Sequence, residues 1–114
     1  MAQINALRPV GQTVAIGLTS TSSTAVTVSS NQTNDQTNFA AFLNTGTKGC
    51  AVKIAPSNAG AAVLPVAGTP GDFYLPPNMV VPMVLAVPAN TFSVTGICAA
   101  TETTTIYVTP VGNY

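Results

Sequence analysis

The chain has very few charged residues and no histidine. Six of its 114 residues are charged, three of each sign: Arg8, Lys48, Lys53, Asp35, Asp72 and Glu102. An ordinary soluble domain carries roughly a quarter charged residues, which keep its surface hydrated and monomeric. Because 46% of this chain is apolar, we expect much of its surface to be covered by a partner or by further copies of itself.

The same shortage removes most catalytic chemistry. General acid–base catalysis at neutral pH usually needs histidine or a tuned pair of carboxylates, and the three carboxylates here are far apart in sequence. The serines have Lys48 and Lys53 as the side-chain amines that would activate them. Two cysteines without histidine fill half of a zinc coordination sphere. We predict no enzyme, no catalytic residue, no cofactor and no metal site.

Binding to nucleic acid or to a membrane is also not expected. Three basic residues are too few for a phosphate-binding patch. The most apolar stretch, residues 79–89, contains two prolines and is far shorter than the about 20 residues of a membrane-spanning helix. The first ten residues lack the apolar core of a signal peptide, so we expect synthesis in a cytoplasm. There, Cys50 and Cys98 are expected as buried, reduced thiols; a disulfide between them stays open.

Short β-branched runs separated by proline and glycine predict an all-β fold. The runs cover residues 13–18, 24–29, 38–44, 50–55, 72–75, 82–87, 92–99 and 103–109, and residues 63–66 are predicted as an edge strand because Pro65 excludes a central one. About eight short strands in about 100 residues are typical of a single antiparallel β-sandwich, and they favour a jelly roll. We assign residues 1–12 to an N-terminal arm and 13–114 to the sandwich.

Alternation along these runs predicts the core and leaves a few aromatic residues for contacts. The predicted buried residues are Phe39, Leu43, Val52, Ile54, Leu85, Val87, Val94, Ile106 and Val108. The segment with the most concentrated apolar side chains at a turn is 72–77, with sequence DFYLPP. The candidate partner contacts are Phe73, Tyr74, Leu75, Tyr107 and Tyr114.

Several segments resemble small virion structural proteins of tailed bacteriophages. They are residues 7–9 (LRP), 38–46 (NFAAFLNTG), 72–77 (DFYLPP), 87–90 (VPAN) and 105–112 (TIYVTPVG). The resemblance spans most of the chain, but its motifs are strand and turn sequences. It implies a capsid decoration or cement protein with a jelly-roll-like sandwich, on the outer surface of an icosahedral shell.

The expected function is therefore non-enzymatic: decoration and stabilisation of a capsid through apolar and hydroxyl-rich contacts. The expected partners are the major capsid protein and other copies of this chain, with the free protein a dimer or trimer. The alternative is a tail, neck or head-fibre module that binds host-surface glycans through exposed tyrosines, or a head–tail connector subunit.

Overall fold

The computed structural model describes residues 7–30 and 38–113. Within these residues the chain is all-β and contains no helix. Its nine strands are β1 (Leu7–Pro9), β2 (Val14–Leu18), β3 (Val26–Ser29), β4 (Asn38–Asn44), β5 (Cys50–Ala55), β6 (Phe73–Leu75), β7 (Met83–Val87), β8 (Thr91–Ile97) and β9 (Thr104–Asn113).

The strands pair as a nested series, which defines the fold. β2 pairs with β9, β3 with β8, β4 with β7 and β5 with β6, and every pair is antiparallel. A chain paired in this way is one long two-stranded ribbon. When the ribbon rolls up, β4 also pairs with β9, and β5 with β8. The result is a jelly-roll β-sandwich, as the sequence predicted.

Rolling divides the ribbon between two sheets. The five-stranded sheet has the order β1-β9-β4-β7, with β2 also paired to β9, and the four-stranded sheet has the order β3-β8-β5-β6. β1, which lies in the predicted N-terminal arm, pairs with the last residues of β9. β6 and β7 are the outermost strands of their sheets and are joined by residues 76–82, so these two edges lie on the same side of the sandwich.

The core lies between the sheets and follows the predicted alternation in most strands. Its buried members include Ile16, Leu18, Val28, Val52, Leu75, Val87, Phe92, Val94, Ile106 and Val108. Ile54 and Leu85 are half-buried and pack against this cluster. The period of two therefore identified the inward face of β2, β5, β7, β8 and β9 correctly.

The prediction for β4 was wrong. Phe39 and Leu43 are only half-buried and lie on the outward face, whereas Ala40 and Phe42 are completely buried. Both faces of this strand carry apolar residues, so alternation alone did not determine which face points inward. Asn44 shares the inward face and is also completely buried.

Residues 63–66 do not form the predicted edge strand. Their one ladder contact is an isolated bridge between Val66 and Thr69. Instead, Val63 accepts a hydrogen bond from the Asp72 amide (2.7 Å) and donates its own to the Asp72 carboxylate (2.6 Å). The segment is thus a loop that closes on itself beside the start of β6.

Candidate partner-contact surface

The outer face of the five-stranded sheet is built from apolar, small and hydroxyl side chains. On β2, β4, β7 and β9, the outward residues that are not buried are Ala15, Gly17, Phe39, Ala41, Leu43, Val84, Ala86, Thr105, Tyr107 and Thr109. Val111, opposite Phe39, points the same way but is buried and is left out of the set. None of these residues is charged. We call this set the outer face.

Strand register arranges the outer face into continuous rows. Tyr107 lies between Ala15 and Leu43, and Ala41 lies between Thr109 and Val84. A Cβ built on Gly17 meets no atom within 4 Å, so residues 7–30 and 38–113 leave this part of the face open. The rows therefore form an open, uncharged surface.

Part of the opposite face of the sandwich is covered by the chain's own residues 56–72. Ser93 and Thr95 point outward from β8, yet both are buried. The Ser93 hydroxyl accepts a hydrogen bond from the Ala59 amide (2.9 Å), and the Thr95 hydroxyl donates one to the Gly60 carbonyl (2.7 Å). The two sheets thus differ: the connection lies over part of the four-stranded sheet, whereas no described segment lies over the outer face.

A second apolar surface follows the side of the sandwich where β6 and β7 lie. Val80 is 92% exposed and Val81 70% exposed, in the loop between these strands, and Phe73 and Tyr74 on β6 are 44% and 48% exposed. We call these four residues the β6–β7 edge. Val84, which belongs to the outer face, lies on β7 at the border of this side of the sandwich.

The structure places the predicted contact residues in different environments. Phe73 and Tyr74 lie on the β6–β7 edge, and Tyr107, which is 37% exposed, lies at the centre of the outer face. Leu75 is completely buried in the core, so it has to be removed from the predicted contacts. Tyr114 lies outside the described residues.

The sequence interpretation missed Val80 and Val81, the most exposed large apolar residues of the described chain. A signal for them existed, because both lie in a loop between Pro-Pro-Asn and Pro82. Adjacent valines at a turn have no strand alternation to bury them. The position of these two valines in a turn bounded by prolines was therefore the sequence signal that they are exposed.

The described polar groups serve structure. The Asp72 carboxylate caps the Val63 amide, and Lys48 lies 3.9 Å from Glu102 in a solvent-exposed ion pair. Within the described residues, no group of three or more acidic, cysteine or histidine side chains is placed to hold a metal ion. An open depression of about 370 Å³ is lined by Gln12, Val14, Thr27 and Ser29, which carry no titratable group.

Comparison of the chain with protein-family models, with curated proteins and with solved structures gives no match in any of the three. In the part of the chain that the structure describes, no helix has the length and apolar character needed to cross a membrane. The class that can be stated is therefore that of the fold, a jelly-roll β-sandwich, and a fold does not by itself define a function.

Proposed function

We propose that this chain is a non-enzymatic structural subunit of a virion, which decorates an icosahedral capsid and stabilises it by binding the outside of the shell. The observation that carries the proposal is the open outer face, whose ten residues include no charge. Its partners in this proposal are the major capsid protein and neighbouring copies of the same chain.

The outer face has the composition of a contact surface. An antiparallel sheet with one face on the core normally presents polar residues on the other face. Contiguous exposed apolar surface on a soluble protein instead marks an interaction site. Charged residues are depleted at the centre of protein interfaces and tyrosine is enriched, as around Tyr107.

The β6–β7 edge adds anchors and open backbone. Val80 and Val81 project from a loop, where side chains can enter pockets of a partner. β6 and β7 are edge strands, whose unpaired backbone groups can add to a neighbour's sheet. Both contact modes suit a lattice of repeated subunits, because each copy meets the same neighbours.

The alternative is a tail, neck or head-fibre module that binds host-surface glycans or acts as a head–tail connector. The exposure of Tyr74 and Tyr107 favours the glycan-binding form, since sugars stack on aromatic rings. The two tyrosines lie on different surfaces, one on the β6–β7 edge and the other on the outer face, and this weakens the case for a shared sugar site.

Copy number in the purified particle separates these proposals. Quantitative mass spectrometry, with the major capsid protein as internal reference, measures how many copies each particle holds. We expect about one copy per shell subunit, or a simple fraction of it. A dozen copies or fewer would contradict capsid decoration and would favour a neck, tail or fibre position.

A matched pair of lysine variants tests the outer face itself. Thr105 and Thr27 are both exposed threonines on outward faces, but Thr105 lies on the outer face and Thr27 lies on β3 of the other sheet. We expect Thr105→Lys to weaken binding to stripped shells at least about tenfold, because it buries an unpaired charge. Thr27→Lys should bind as the unmodified chain does, and equal loss in both variants would refute the assignment of this face.

A further inference from the structure

Strand register places the two cysteines opposite each other. β5 and β8 are antiparallel, with Ala51 opposite Ile97 and Val52 opposite Gly96. The next position of the same register pairs Cys50 with Cys98. Both thiols are free, buried and part of the same core cluster between the sheets. The two cysteines are far apart in the sequence, but they are direct neighbours across the β5–β8 strand pair.

The hydrogen-bonding pattern shows which kind of cross-strand pair this is. The amides of Gly96 and Cys98 point away from β5: Gly96 donates to the Ser23 hydroxyl (3.0 Å), and Cys98 donates to the Thr19 carbonyl (2.7 Å). Cys50 and Cys98 are therefore a non-hydrogen-bonded pair. In such pairs the Cα atoms are about 4.5 Å apart and the side chains are close, which is within the range that disulfides span.

We propose that Cys50 and Cys98 are a latent disulfide site that locks β5 to β8 when the protein meets an oxidising thiol–disulfide couple. A low-molecular-weight disulfide such as oxidised glutathione is the oxidant. One cysteine thiolate attacks it, releases one glutathione thiolate and leaves a mixed disulfide. The second cysteine thiolate then attacks the protein sulfur of that mixed disulfide and releases the second glutathione. The protein gives up two electrons and two protons, and the glutathione disulfide becomes two thiols.

Burial makes this reaction slow in the closed fold. Desolvation, followed by the neighbouring Cys98 thiol, raises the pKa of Cys50 to about 12. Desolvation and Glu102 also raise the pKa of Cys98, although a backbone contact at Thr104 opposes the rise. Thiolate is the reacting form, and neither sulfur is open to solvent. Oxidation therefore requires a local opening of the sheet, and the finished disulfide is shielded from reductants in the same way.

Trypsin separates the two cysteines and so reports the link directly. Cleavage after Lys48 and Lys53 puts Cys50 in residues 49–53 and Cys98 in residues 54–114. The purified full chain is incubated with oxidised glutathione at increasing urea, alkylated, digested without reductant and weighed by mass spectrometry. We expect these two peptides joined, with two hydrogen atoms lost, at a rate that rises about tenfold or more with urea below the unfolding midpoint.

The linked protein should melt at least about 5 °C higher than the reduced protein, because the bond closes a loop of about 50 residues in the unfolded chain. Cys50→Ala and Cys98→Ala are the controls and should give no link. The inference fails if a glutathione adduct or a cross-linked dimer is the end product, if the thiols remain alkylatable after refolding in the redox buffer, or if the linked form melts lower. Shell binding is a separate property, so either proposal can fail without the other.

Discussion

Asn44 is the residue that fixes the end of β4, and it is polar and completely buried. Its side-chain amide donates to the carbonyls of Lys48 (2.9 Å) and Pro76 (3.2 Å). Its side-chain carbonyl accepts from the Gly46 amide (3.1 Å) and the Thr104 hydroxyl (2.7 Å). One side chain thus ties together the β4–β5 turn, the β6–β7 loop and the start of β9.

We expect Asn44→Ala to lower the free energy of unfolding by about 3 kcal/mol, because it leaves several buried groups without partners. Thr104→Val removes one of these hydrogen bonds and should cost about 1 kcal/mol. Urea denaturation measures both values. Equal stability of Asn44→Ala and the unmodified chain would show that the hydrogen bonds of Asn44 do not stabilise the fold.

The raised pKa of Cys50 predicts a loss of stability in alkali. The folded protein keeps this thiol protonated up to about pH 12, whereas the unfolded chain releases the proton near the usual value of 9.0. The free energy of unfolding should therefore fall above about pH 9, by up to about 1.4 kcal/mol per pH unit. Denaturant titrations under reducing conditions measure the slope, and Cys50→Ala should show a smaller one. Parallel curves for the two proteins would contradict the prediction.

Residue-level patterns predicted the inward face wherever only one face of a strand was apolar. In β8 the order Phe92, Val94, Gly96, Cys98 was correct because hydroxyl residues alternate with it as far as Thr95. In β4 the apolar residues fall on both faces, and the buried hydrogen bonds of Asn44 accompany the register that the chain adopts. Such long-range bonds leave no local pattern in the sequence, so Phe39 was placed inside wrongly.

At the scale of whole elements, the connection 56–72 behaves as a cover for the four-stranded sheet. Ala59 and Ala62 within this connection are buried, and the Ala62 amide donates to the Ser22 hydroxyl (2.8 Å). Three hydroxyl side chains, those of Ser22, Ser93 and Thr95, thus hold a segment that has almost no ladder of its own. The sequence alone gives these hydroxyl groups no partner, so their use as anchors is visible only in the three-dimensional contacts.

We expect Thr95→Val to loosen this cover. The Gly60 carbonyl loses its hydroxyl donor at 2.7 Å, so stability should fall by about 1 kcal/mol. Hydrogen exchange at residues 59–62 should accelerate several-fold, because local opening becomes easier. Thr27→Val, at an exposed position of the same sheet, is the control and should change neither. Unaltered exchange in Thr95→Val would mean that the cover is held by other contacts.

The bounds of most strands were predictable, but their pairing was not. Period-two alternation and turn residues depend on neighbouring positions and are visible in one sequence. The nested pairing from β2–β9 inward to β5–β6 depends on contacts across almost the whole chain. The proposed contact surface was partly predictable: Phe73, Tyr74 and Tyr107 were named from the sequence, whereas the outer face required knowing which strands are adjacent.

For the whole molecule, four of the five described charges lie away from the proposed contact surface, and the fifth, Arg8, lies on the edge strand β1. Lys53 points outward from the four-stranded sheet, Asp72 is bonded to Val63, and Lys48 pairs with Glu102 at the end of the sandwich. The open outer face and the β6–β7 edge carry valine, alanine, phenylalanine, tyrosine and threonine instead. Association through these surfaces depends on apolar burial rather than on ion pairs.

Binding to the shell should therefore be almost insensitive to sodium chloride. Salt at 1 M shortens the screening length to about 3 Å and removes most attraction between exposed charges, but it leaves apolar burial intact. We expect the dissociation constant to change less than about threefold between 0.1 and 1 M, and ammonium sulfate to strengthen binding. Co-sedimentation of the chain with stripped shells measures this, with Lys48→Gln as a control that should bind unchanged. A steep loss of binding with salt would mean that charged groups hold the complex and that the outer face is not its centre.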